Sequence, residues 1–366
     1  MLLLDREVNS AFETYVKPSY LYSISFFFIL LTTTVVITTF HMLNVKKKKN
    51  RFKKSIEQTL EEWITEIIID DSATEITISQ NFQTLLTNSD ARQLVIDELV
   101  RNKSSFLGSV SAKIIELYYR LGLNVDSRIK LDDKRAHIQC QGIHELGVME
   151  QKDQLQKVYR FTNSKNKDVR IEAQTAILQW YGFKGLRFLD VVSFPITEFQ
   201  QLKLLELLRL LPFTGFSKLD KWLSSPNDTV VSFALKLAEH YKQVQVHKEA
   251  VQCLQHKNEA VRVQAVKTLA KIGAAGTAEL FISAYKNERF TNRLNILKEL
   301  PKVAGDDQRD FLIVQLHEGH EYLKLAAAKV LATCTTDGME ILEAKSYDTP
   351  VPYKDIFAHV KFEAEK

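Results

Sequence analysis

Val261-Arg262-Val263-Gln264-Ala265-Val266-Lys267-Thr268-Leu269 places an apolar residue, a small one and a second apolar one at steps of four. Positions i, i+4 and i+8 lie along one face of an α-helix, so the stretch predicts an amphipathic helix with a buried stripe. The same triplet recurs. Val169, Ala173 and Ile177 form one copy; Val230, Ala234 and Ala238 form another, as do Leu323, Ala327 and Leu331. Asn292, Ile296 and Leu300 fit with one polar exception, and Ile138, Gly142 and Leu146 fit with a glycine in the middle. A weaker copy is Gln200, Leu204 and Leu208. The copies start at 138, 169, 200, 230, 261, 292 and 323, a step of 31 shortened once to 30. Random helical sequence does not hold one period over seven copies, so the pattern marks a repeat architecture.

A second series runs in phase with the first. Phe161, Val192, Leu223, Leu254, Tyr285 and Leu316 are all apolar or aromatic and step by 31. They fall on a helix that precedes each triplet, which makes each unit a helix, a turn and a second helix. Asn166, Asn227 and Asn258 each lie three residues before a second-helix start. An asparagine there is expected to cap the helix by accepting from an early backbone N–H. Asp168, Asp228 and Glu259 follow in the first turn, where negative charge suits the helix dipole. In the third unit the expected cap is Thr197, with Gln200 completing a capping box.

This unit resembles a HEAT repeat. The resemblance rests on Asp168-Val169-Arg170 through Ala173, on Asn258 through Val261-Arg262 to Ala265, and on Asn227-Asp228 with Ala234; it covers roughly residues 130–345. In that family an Asp in the turn and an Arg early in the second helix form hydrogen-bonded ladders between neighbours. Arg170, Arg262 and Arg293 stand at the Arg position, and Lys324 replaces it. Val231 and Gln201 depart from it, which puts a continuous ladder in doubt around the third and fourth units. The expected fold is therefore all-α: a right-handed α-solenoid of about seven two-helix repeats over 126–345. A helical cap region over 56–125 precedes it, with runs at Ile56–Ile69, Ala91–Val100 and Val110–Leu121 that lack a clear copy of the repeat. Terminal repeats are atypical because they cover the exposed core. Gly122 is expected to end the last of these runs. Pro350 and Pro352 should break the array, leaving 346–366 as a C-terminal tail.

The N-terminal region differs in kind. No formal charge occurs from Pro18 to Val45, and Tyr20–Leu43 is apolar or hydroxylated apart from His41. At about 1.5 Å per residue this stretch reaches roughly 36 Å, enough to cross a hydrocarbon core of about 30 Å. Its serines and threonines are tolerable because their hydroxyls can bond back to helix carbonyls. The stretch is too long for a signal-peptide core and is followed by lysines instead of a small-residue cleavage site, so it reads as a retained single-pass transmembrane helix. Lys46, Lys47, Lys48, Lys49, Arg51, Lys53 and Lys54 follow it in a basic segment over 44–55, whereas Arg6 and Lys17 are the only cations before it. The positive-inside rule then puts residues 1–19 outside the cell membrane and the repeats in the cytoplasm. The same cations can contact anionic lipid headgroups. With its anchor included, the chain resembles membrane-anchored bacterial HEAT-repeat proteins.

Charge distribution narrows the partners. The chain carries a formal +4, but residues 1–54 hold +6, so the remainder is −2. Nucleic-acid binders need a net basic face to neutralise phosphates, so a protein partner is expected, and no nucleic acid. Cys140, Cys253 and Cys334 are far apart and form no CxxC pair, which suits a reducing compartment.

No catalytic constellation stands out. His317 and His320 have the wrong spacing for HExxH, and phosphate loops of the GxxxxGK[ST] and GxGxxG types are absent, as is a GxSxG elbow. Asp70-Asp71 and Asp132-Asp133 are adjacent pairs that do not face each other. Trp63, Trp180 and Trp222 sit at helical spacing among apolar residues, as core residues do. The sequence therefore points to a scaffold or adaptor with no cofactor and no metal. The alternative is a small-molecule-binding or lyase-type helical-repeat enzyme. The candidate partner surface, or repeat ladder, comprises Arg170, Glu172, Arg262, Gln264, Lys267, Arg293 and Lys324.

Overall fold

The structure is a computed structural model that describes residues 18–69, 78, 80–106, 108–317 and 320–365. The described residues are helical or irregular, with no strand among them. The chain divides into two compact units, Met1–Asn124 and Val125–Lys366.

In the first unit one helix runs from Pro18 to Ile69, 52 residues without a break. At 1.5 Å per residue it is about 78 Å long. The apolar stretch and the basic segment after it belong to this one helix, so 44–55 is helical and not a flexible linker. Every residue from Tyr20 to Arg51 is exposed. The stretch is long and apolar enough to cross a membrane by length and composition. Its threonines bond back as anticipated: Thr33 donates to the Ile29 carbonyl at 2.7 Å and Thr34 to Leu30 at 2.8 Å. Farther along, the helix acquires a buried face. Ile56, Leu60 and Trp63 are enclosed by the helices Ser89–Ser105 and Gly108–Arg120, and Trp63 meets Phe82 edge to face. Gly122 turns the chain with φ of 65°, and Arg92 donates to its carbonyl at 2.7 Å. Asp70-Asp71 and nearly all of residues 1–19 lie outside the described residues.

The second unit is a stack of helix pairs. The second helices are Ala136–Val148, Lys167–Tyr181, Glu198–Arg209, Asp228–His240, Glu259–Ile272, Phe290–Glu299 and Glu321–Cys334. Each contains one predicted triplet, except that Leu300 falls in the 3₁₀ turn directly after Phe290–Glu299. Of the 21 triplet residues only Ile138 is half-buried and all others are buried. That outcome follows from helix geometry, because the stripe is the face each helix turns toward the rest of the stack. Glycine replaces alanine at Gly142 for a local reason. A Cβ there would sit 2.9 Å from the Ser127 carbonyl of the preceding helix.

The caps also form. Asn166, Asn227 and Asn258 accept from backbone N–H groups of their helices, and Thr197 accepts from Gln200 N. The reciprocal half of the capping box differs from expectation: the Gln200 amide turns inward and donates to Gln174. Asn258 also donates to Asp228 of the preceding repeat at 2.9 Å. Asn258→Ala is therefore expected to cost about 1–2 kcal/mol, the upper part of the range for a lost cap, in denaturant unfolding of the full chain in detergent.

The array does not end at the prolines. Gly338–Asp348 and Pro350–Ala364 form an eighth pair, and the latter packs on Glu321–Cys334 with Tyr353, Ile356 and Val360 buried. Proline is accepted at the first helical positions, where no intrahelical N–H partner is needed, so Pro352, after the non-helical Val351, begins the packed helix instead of stopping the stack.

The third repeat is irregular. Its first helix is replaced by a 3₁₀ run, Gly182–Asp190. Gly182 has φ of 54°, and a Cβ on Gly185 would lie 2.7 Å from the Ile177 carbonyl. Phe183, Phe213 and Phe216 form a cluster of rings with Tyr241, which ends the second helix of the fourth repeat.

Candidate functional site

The Arg series stands at the seam between the inter-helix turns. Arg170 is 5% exposed; its Nη1 donates to the Ser164 carbonyl at 2.7 Å and its guanidinium lies over Phe194. Arg262 repeats this, donating to the His256 carbonyl at 2.8 Å. It also grips Glu288 of the next repeat with two bonds of 2.6 and 3.0 Å. That carboxylate holds the Arg262 pKa above its ordinary value. Arg293 donates to the Glu288 carbonyl at 2.9 Å and covers Tyr285. Lys324 lies over the Tyr353 ring of the eighth pair. The three arginines share a role: each ties its second helix to the turn before it by satisfying turn carbonyls.

The expected weakness at the third and fourth units does not occur. Gln201 takes the Arg position and donates to the Ile196 carbonyl at 3.0 Å and to the Thr229 carbonyl of the next repeat at 3.2 Å. Asn227 reaches back to the Phe194 carbonyl at 3.1 Å, and Asn163 and Ser193 bond to each other. Amides carry the ladder where the sequence lacks arginines.

The remaining candidates divide. Glu172 accepts from or shares a proton with His144 at 2.8 Å, which raises the imidazole pKa. Gln264 is buried and donates to Glu239 at 2.7 Å, so it joins neighbouring second helices. Lys267 is exposed. Lys46, Lys47, Lys48, Lys49, Arg51, Lys53 and Lys54 are exposed along the long helix of the first unit, and Lys53 approaches Glu57 at 3.5 Å.

Residues that could have carried chemistry are engaged otherwise. His317 contacts Lys345 at 2.9 Å, and His320 stacks near Phe290 and Tyr322. Asp132 pairs with Lys157, and Arg135 beside Asp133 holds that carboxyl down at about 2. Burial pushes the Cys253 thiol up to about 11, so it is inert at neutral pH. Among the described residues no group of three or more His, Cys, Asp or Glu side chains could hold a metal ion. Trp180 and Trp222 are core residues whose indole N–H groups reach the Gly147 carbonyl and Asp190.

Sequence reasoning missed a cleft of about 710 Å³ between the second and third repeats. It opens where the 3₁₀ run replaces a full helix. Leu155, Ile177 and Gly185 floor it, and Tyr159 and Tyr181 wall it. Arg160, Lys184 and Arg187 rim it, and all three are exposed. The legible signal was Gly182 and Gly185, three residues apart inside an expected helix.

No family model matches the sequence, and no curated protein matches it. Solved structures do. An engineered protein aligns at TM-score 0.30 with 13% identity, covering 78% of this chain and 98% of its own. The complex of CpcE and CpcF of phycocyanin lyase from a Nostoc species aligns at TM-score 0.24 with 11% identity, covering 79% of this chain and 97% of that one. A designed armadillo repeat protein gives TM-score 0.24 and 13% identity, covering 69% of this chain and 97% of its own. Superposition is poor in every case, so the architecture rests on this chain's own repeat geometry.

Proposed function

We propose that this chain is a HEAT-type scaffold anchored in a membrane by Tyr20–Leu43, with its repeats in the cytoplasm to bind a protein partner beside the bilayer. The observation that carries the reading is the wholly exposed apolar length of the Pro18–Ile69 helix, which passes directly into a basic segment. An apolar helix face of that size needs an apolar solvent, and lipid provides one. Lys46, Lys47, Lys48 and Lys49 are consecutive, so at ~100° per residue they ring the helix on every side. A ring suits a helix that emerges upright through the headgroups, where each cation near anionic lipid is worth about 1 kcal/mol. A helix lying flat on the surface needs its cations on one face.

The repeat unit supplies long stacked surfaces of the kind that hold extended segments of other proteins. The full chain is expected to stay in the membrane pellet through an alkaline carbonate wash, and a chain lacking residues 20–43 to appear in the supernatant. Extraction of the full chain by carbonate alone would remove the anchor from the proposal. Crosslinking in intact membranes tests the scaffold half: it requires a stoichiometric protein neighbour, and recovery of none counts against it.

A further inference from the structure

We infer that the cleft between the second and third repeats is a docking groove for an acidic peptide segment of a partner protein, one that carries apolar side chains between its carboxylates. The inference deepens the scaffold reading and rests on it. Three features converge. The floor is apolar, with Ile177 buried and Leu155 half-buried. Two tyrosines flank it and offer flat surfaces with polar tips. The rim carries a cation on each of two elements, Arg160 on Leu155–Phe161 and Lys184 and Arg187 on the 3₁₀ run, and no carboxylate lines the cleft.

That concentration of positive charge is local. Residues 55–366 carry −2 in total, so a rim of three cations without an acid departs from the surface around it. Asp190 is the carboxylate that acts on Tyr159, and it is already taken: Lys218 donates to it at 2.8 Å and the Trp222 indole at 2.9 Å. Among the described residues none of the three rim cations forms a salt bridge. The shape selects among anions. A volume of about 710 Å³ is ample for a small ligand. Pockets that hold small molecules, however, enclose most of the ligand surface. Here five lining residues (Gln156, Arg160, Tyr181, Lys184 and Arg187) are exposed, so the cleft is an open trough. An extended segment fits a trough: apolar side chains reach the floor while carboxylates meet the rim.

The groove is also fixed in shape. Tyr159 donates to the Arg187 carbonyl at 3.0 Å, which joins the second repeat to the 3₁₀ run across the cleft. Gly185 presses against the Ile177 carbonyl, so the run cannot move inward. A preformed groove binds without an ordering cost of its own.

The test is fluorescence anisotropy with the full chain in detergent micelles. The probe is a fluorescein-labelled peptide that alternates glutamate with leucine and phenylalanine. Combined Arg160→Glu, Lys184→Glu and Arg187→Glu is expected to weaken binding about tenfold or more, with the salt dependence of the remaining binding reduced. A control carrying Lys242→Glu and Lys248→Glu, equally cationic positions elsewhere on the array, should bind as the parent does. Three results overturn the inference: equal binding of the peptide with glutamine for glutamate, an unchanged affinity in the triple variant, or displacement by inorganic phosphate at concentrations similar to the peptide. The last would mark a simple anion site. Circular dichroism of the triple variant confirms that it folds, since all three side chains are exposed. Membrane crosslinking separates this groove from the scaffold reading: a stoichiometric neighbour retained by the triple variant would remove the groove and leave the scaffold standing.

Discussion

Arg262→Ala should lower the stability of the chain by about 3–5 kcal/mol, because it breaks a buried ion pair from one side. The Glu288 side chain is only 5% exposed, and Arg262 supplies both of its guanidinium bonds. Removing the cation leaves a carboxylate in a place that water barely reaches. Arg262→Lys should recover little, since an ammonium cannot reproduce two parallel bonds and also reach the His256 carbonyl. The pair joins the fifth repeat to the sixth, so the damage should be visible in space as well as in magnitude. In a stacked array each repeat leans mainly on its neighbours. Hydrogen exchange should therefore accelerate at Glu259–Ile272 and Phe290–Glu299 before it does at Lys167–Tyr181. A loss of less than about 1 kcal/mol would mean that Glu288 finds solvent or another donor, and that the pair is an ordinary surface contact.

The second large effect is expected at Lys130 and Glu145. Lys130 Nζ lies 2.6 Å from Glu145, whose side chain is 3% exposed and also accepts from the Ser127 hydroxyl. Lys130→Ala should cost about 3–5 kcal/mol by the same reasoning. The double replacement Lys130→Met with Glu145→Leu makes the sharper comparison. It removes both charges and keeps the volume, so it should be within about 1 kcal/mol of the parent or more stable. If the double variant is as unstable as the single one, packing or the Ser127 bond holds the site and the charges do not. This pair lies within one repeat, between Leu123–Leu131 and Ala136–Val148. Its loss should loosen that end of the second unit and leave the ladder beyond Asn166 in place.

What could be read in the sequence was whatever repeats. Val261, Ala265 and Leu269 report burial because a helix facing a stack must put the same kind of residue on the same face each time. Asn166, Asn227 and Asn258 report helix starts because the cap is a local bond, closed within three residues. The tolerance of the threonines in Tyr20–Leu43 was legible for the same reason. Bonds that cross between repeats were not. Nothing near Gln201 in sequence says that its amide will meet the Thr229 carbonyl, and nothing near Arg262 points to Glu288. The polar exceptions Gln200 and Asn292 sit at buried stripe positions, where only the packed structure reveals their surroundings. The prolines at 350 and 352 read as a stop in the sequence alone, although proline serves equally well as a helix start. The cleft was hidden for a related reason. Arg160 lies on the helix of one repeat and Lys184 and Arg187 on the 3₁₀ run of the next, so the cationic rim exists only once the fold has brought them to one trough.

The unbroken helix from Pro18 to Ile69 makes the connection between the exposed apolar length and the first folded unit a shaft instead of a tether. A tether fixes only a maximum distance. A shaft also fixes height and azimuth: Ile56 stands about 20 Å beyond Leu43 along the axis, and its bearing around the axis is set by the residues between. Each residue added to or removed from that interval would turn the face of Ile56, Leu60 and Trp63 by ~100° and shift it by about 1.5 Å. A four-residue insertion would nearly restore the bearing and a two-residue insertion would nearly reverse it. The basic segment therefore acts as a spacer whose length in residues has a phase, so the folded face it carries has a heading as well as a location.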